Sequence, residues 1–299
     1  MIDLNAKKID NPLYKIIMYL NKYEENILQD ESLQFLLKNL STHFRKLFYM
    51  IIHINKIQKD EDFITKYNRN GIISISAIEY CYYKISTIWD ISYQIADKLV
   101  LPRKKHTNKY EYLNQSFEKY SDKFPNLNLA WYKELNSIRN RIVHGGITVN
   151  PYYINDINVR NKICFQAYDF RLDDLIQPHW MYTNIYNNNI NFADYYFSFY
   201  THILYSYLFD FFDYVLFEMN EQRNHDINNL HLSQVPYEFF ERTHKTWSLS
   251  EVDVFYNVTT EMIRLELSRG NIKSMNKWSL DEIEIFYSKF PFRLLNSIK

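Results

Sequence analysis

Residues 137–146 read SIRNRIVHGG, and in them Arg139, Asn140, Arg141 and His144 gather within two helical turns. The residue types suit acid–base and anion chemistry. Histidine titrates near neutrality and can serve as base or acid. An arginine fork can clamp phosphate oxygens while charge builds on them. A carboxamide can hydrogen-bond such a group or orient the imidazole.

On a helix advancing about 100° per residue, Trp131, Leu135, Ile138 and Ile142 fall in one narrow sector and form a stripe for burial. Asn140 and His144 lie about 40° apart on roughly the opposite side, with the arginines flanking them. His144 therefore points away from the core. A second reading of it is structural. A histidine near a helix C-terminus is favoured by the macrodipole, and Gly145 is a natural residue to follow a helix end.

Arg139, the adjacent Asn140, and His144 four intervening residues further on, late in an amphipathic helix, resemble the signature of the HEPN superfamily (higher eukaryotes and prokaryotes nucleotide-binding domains). The resemblance implies an all-α bundle over about residues 1–225. It further implies metal-independent cleavage of RNA, the activity of many members. In that chemistry the ribose 2′-OH attacks its own phosphate, a base takes the proton, an acid protonates the leaving 5′-oxygen, and positive charge steadies the phosphorane. Arg139, Asn140 and His144 are the expected catalytic set, with Arg141 supporting. Arg141 lies nearer His144 in helical angle, so either arginine can face the phosphate. One motif supplies one histidine, so a homodimer with a composite cleft is expected, since HEPN proteins pair two motifs across a two-fold interface. The implied setting is a prokaryotic toxin or anti-phage effector in the cytoplasm, with RNA as substrate and an antitoxin or defence protein as possible partner. Some HEPN toxins carry a modified tyrosine two residues after the histidine. Gly146 stands there, and that regulation is not carried over.

The elements that must position these residues are legible from periodicity. Helical spacing runs through 13–28 and 33–57. The clearest stripe is Ile75, Ile78, Tyr82, Ile85, Ile88, Ile91, Ile95 and Leu99, closed by Pro102. Arg103, Lys104 and Lys105 follow in a basic loop, read either as solvated or as substrate phosphate contacts. A short helix is expected near 108–122, the motif helix over about 127–144, and a long aromatic helix over about 190–222. Between them, ITVN and KICFQAYDF alternate like the strands of a small hairpin or extended insertion.

A polar run, EQRNHDINN, divides a domain at 1–225 from a helical appendage at 226–299. The appendage repeats itself: WSLSEVDVFY from Trp247 and WSLDEIEIFY from Trp278, offset by 31 residues. Ser248 with Glu251 and Ser279 with Glu282 have capping-box spacing, so each copy encodes a well-started helix. Two copies are too few for a solenoid.

Composition sets the outer limits. The 299 residues are 46% hydrophobic and 18% aromatic, with only 4 Gly and 7 Pro, which favours long helices over turn-rich β folds. Lys+Arg and Asp+Glu balance at 35 each, so a nucleic acid must be met at a local site rather than by bulk charge. Two distant cysteines, Cys81 and Cys164, form no disulfide framework or metal spacing, and no cofactor or metal is expected. No apolar leader opens the chain, and the most apolar stretch is broken by His202, Asp210 and Asp213, so no membrane span is expected. His43, Arg45 and His53 have the register of ordinary helix surface. Glycine-rich phosphate loops are absent. The tyrosine clusters at 80–83 and 192–200 read as core or as base-stacking surface. Two other functions stay open: a non-catalytic HEPN-like module binding RNA or a nucleotide, and a helical interaction protein recruiting a partner through its tail.

Overall fold

The computed structural model describes residues 2–3, 8–9, 12–102, 108–123, 129–144, 147–156, 160–169, 174–175 and 191–225. The domain is mostly helical with a small antiparallel sheet, as composition and periodicity require. Two short strands, β1 (Ile2–Asp3) and β2 (Lys8–Ile9), pair ahead of the helices. Helix α1 (Pro12–Tyr23) is followed after Glu24 by the single turn α2 (Glu25–Leu28), where periodicity indicated one continuous helix. The break is local: Glu24 leaves helical geometry at φ −143°.

Helix α3 (Glu31–Ile57) starts where Asp30 accepts from the Ser32 amide at 2.7 Å. Asp60 caps the short α4 (Glu61–Tyr67), an element too brief to carry a periodic signal. Gly71, at φ +71°, begins α5 (Ile72–Leu99). A Cβ there would sit 2.6 Å from Pro151 Cγ, so both the left-handed backbone and the close approach require glycine. Asn108 caps α6 (Lys109–Ser121) by accepting from the Tyr110 and Glu111 amides. Helix α7 (Leu129–His144) carries the motif.

Strands β3 (Ile147–Asp156) and β4 (Arg160–Asp169) form the hairpin, in the register Val149↔Ala167 and Tyr153↔Ile163. Strands β5 (Asp174–Leu175) and β6 (Asn191–Phe192) also pair with β4. Helix α8 (Ala193–Arg223) closes the domain on a left-handed Asn224. Residues 226–299, with both Trp-Ser-Leu repeats, lie outside the described residues.

Helix α5 is the axis of the core. Its stripe is buried from Ile78 to Leu99, but so are Cys81, Ser86, Trp89, Ser92, Tyr93 and Ala96 on its other sides. Packing on several sides explains why a single stripe under-reads this helix. Trp89 stacks on Tyr93 at 5.4 Å and on Tyr207 of α8 at 4.3 Å, and Tyr93 stacks on Phe211 at 4.5 Å. Phe117 of α6 meets Tyr207 and Phe211 edge-on. Offset and edge-on pairs of this kind add about 0.5–1.5 kcal/mol each beyond burial.

A polar knot ties the sheet to the helices. Asp194, wholly buried in the first turn of α8, accepts from Lys162 Nζ at 2.6 Å, Gln58 Nε2 at 2.8 Å and Asn55 Nδ2 at 3.0 Å. Gln58 also accepts from the Ile163 amide at 3.2 Å, and its carbonyl accepts from the Tyr153 hydroxyl. No described helix is long and apolar enough to cross a membrane.

Candidate functional site at the end of helix α7

Helix α7 rests on α5 and α8, with Leu135 wholly buried and Ile142 packed partly buried against the core. The side chains of Trp131 and Ile138, the other stripe positions, lie outside the described residues. On the far side, Asn140 and His144 are exposed, and His144 is the helix's last residue. The angular reading thus places these two as the structure does. Arg139 and Arg141 are half-buried between the two faces. Arg103, Lys104 and Lys105 lie outside the described residues, as do Gly145 and Gly146.

The guanidinium of Arg139 is held on three sides. Its Nη2 donates to Asp90 Oδ1 at 3.1 Å and to the Tyr110 hydroxyl at 3.2 Å. Its Nη1 donates to Asn140 Oδ1 at 3.3 Å. Its carbon centre stands 5.3 Å from the Tyr110 ring centroid, within cation–π range. The Arg139 side chain is only 18% exposed against 43% for Asp90, so the pair sits at the rim of the core.

Tyr110 joins this rim to the aromatic stack. Its ring lies 4.2 Å from Tyr93, and its hydroxyl accepts from Trp89 Nε1 at 2.9 Å. Adjacent residues of α5 thus divide the work: Trp89 enters the core and steadies Tyr110, while Asp90 faces outward and takes Arg139. Asp90 and Tyr110 were not marked by the sequence. They sit on different helices from the motif, and no local spacing connects them to it.

Chemically, the bracing turns one Nη of Arg139 inward and leaves the other beside exposed Asn140. Such an arginine cannot swing freely, which limits the ordering needed to bind a phosphate. Arg141 Nη1, like Arg139 Nε, is buried and meets no hydrogen-bond partner among the described residues. Burying a cationic donor unpaired is costly, so an arriving anion would relieve that cost. Neither cysteine supplies a nucleophile here. Cys81 and Cys164 are both buried, and burial pushes both thiols up, helped at Cys164 by the Asp194 carboxylate. Among the described residues, no group of three or more His, Cys, Asp or Glu side chains could hold a metal ion.

Comparison with family models, curated proteins and solved structures found no match.

Proposed function

We propose that the protein is a metal-independent endoribonuclease of HEPN type, acting in the cytoplasm as a prokaryotic toxin or anti-phage effector. One observation carries the reading: Asn140 and His144 stand exposed on the face of α7 opposite buried Leu135, with Arg139 braced half-buried beside them.

In this reading His144 exchanges protons with the 2′-OH or the leaving 5′-oxygen. Arg139 neutralises the phosphorane through the Nη1 edge it shares with Asn140, and Asp90 and Tyr110 hold its other edge. Two protons move in opposite directions during the step, and a single chain offers one motif histidine. A homodimer that brings two α7 ends over one phosphate supplies the second, and the exposure of His144 is compatible with that pairing. RNA is the substrate, and an antitoxin or defence-system protein is the expected regulator.

The test is expression in bacteria of the wild type beside His144→Ala and Arg139→Ala, followed by RNA cleavage by purified protein in chelator. Cleavage by wild type alone is expected. Equal cutting by folded variants would exclude the motif as the catalytic centre.

The capture of Arg139 by Asp90 and Tyr110 favours a second reading, in which the helix end binds RNA without cutting it. RNA binding without cleavage, unaffected by loss of His144, would select it.

A further inference from the structure

Helices α3 and α5 pack along one another, and three basic residues lie midway along them, half-buried His43 and Lys84 and exposed Lys46. His43 and Lys46 lie one turn apart on α3, and Lys84 comes from α5. His43 is half-buried, and its Nδ1 is buried without a hydrogen-bond partner. Burial, then the charge of Lys84, then that of Lys46, hold its imidazole below the ordinary histidine range. Burial and Lys46 likewise lower the Lys84 ammonium. Lys84 Nζ stands 4.9 Å from the ring centroid of Tyr80, one turn earlier on the same helix.

Among the described residues, none of the three basic groups meets a carboxylate. Like charges gathered on a helix surface destabilise it unless something offsets them. Some cations of the domain are offset in this way: Lys98 pairs with Asp30, Lys109 with Asp97, Lys162 with Asp194 and Arg223 with Glu24, whereas those of the seam are not.

Two exposed rings lie on the same stretches of α3 and α5. Tyr83, beside Lys84, is 60% exposed, and Tyr49, one turn beyond Lys46, is 44% exposed. Exposed rings next to unpaired cations are the makings of a single-strand nucleic-acid surface, where bases stack and phosphates meet ammonium groups. The balanced 35 and 35 charges also require that a polyanion be met locally.

We propose that His43, Lys46 and Lys84 form a phosphate seat for single-stranded RNA, flanked by Tyr49 and Tyr83 as stacking surfaces. Lys84 precedes Asp90 by six residues, which places the seat about 9 Å along α5 from the level where Arg139 is held and about 120° around it. The choice of RNA rests on the proposed function. The seat itself requires binding and not cleavage.

The test uses the full chain carrying His144→Ala, so that bound RNA stays intact. Fluorescence anisotropy with a labelled oligouridylate is followed at rising KCl. Adding Lys46→Gln and Lys84→Gln is expected to weaken binding at least about tenfold and to flatten the salt slope by about 1.4, two phosphate contacts' worth for a single strand. The exposed Lys46→Gln alone should give about half that change in slope. A control pair, Lys22→Gln with Lys123→Gln, removes the same charge elsewhere and should leave the slope unchanged. An unchanged slope in the seat variants, or an equal loss in the control pair, overturns the seat. If the wild type proves unable to cut RNA but the seat variants still lose affinity, the cleavage reading fails and the seat stands.

Discussion

The aromatic stack inside the bundle and the outer end of α7 meet at a single residue, Tyr110, yet they are built on opposite terms. Inside, rings from α5, α6 and α8 press together and their polar tips bond to one another, as Tyr93 and Tyr207 do hydroxyl to hydroxyl at 2.6 Å. Every group there has a reason in folding. At the end of α7, Asn140 and His144 are exposed, and only Arg139 is fastened, by Asp90 and Tyr110. Exposed polar residues set beside one that is held still are what a binding or catalytic edge requires.

That contrast breaks most sharply at His144. His144→Ala is expected to lower RNA cleavage by about 10²–10⁴-fold, measured by single-turnover assays, while the thermal midpoint stays put. A fall in stability matching the fall in activity would return the residue to a capping role. At the other pole, Phe211→Ala should cost about 3–5 kcal/mol in denaturant unfolding, with activity lost only as folded protein is lost.

The buried knot gives the next largest effect. Asp194→Asn leaves Lys162 buried without its counter-charge and should cost about 3 kcal/mol, read by the same unfolding curves. The smallest expected change sharpens the boundary itself. Asp90→Asn removes an ion pair at the rim, which is worth under about 1 kcal/mol to stability. It should slow cleavage about tenfold if Asp90 aims the arginine, with partial recovery in Asp90→Glu. Cleavage at the wild-type rate in Asp90→Asn would show that the arginine needs no such brace.

Much of the fold was legible because helices announce themselves through period and punctuation. The α5 stripe, the stop near Pro102, the hairpin of alternating residues and the long aromatic α8 all follow from spacing, and the exposure of Asn140 and His144 follows from helical angle. What escaped has physical reasons. The break at Glu24 and the seven-residue α4 are shorter than a periodic window. The Asp194 knot joins residues 136 apart at its contact with Gln58 and 32 apart at Lys162, and no local rule connects them. Asp90 and Tyr110 escaped likewise, since their link to Arg139 exists only once three helices have packed.

Gln58 carries one further consequence. This single side chain bonds the β4 backbone at Ile163 and the α8 carboxylate at Asp194, while its own carbonyl takes the β3 hydroxyl of Tyr153. Peeling the hairpin away would strip the bonds to Ile163 and Tyr153 at once, together with the bond from Lys162 to Asp194, so the hairpin should open as one cooperative unit in amide exchange. The Ile163 amide, which donates to the Gln58 side chain, becomes the natural reporter of that opening.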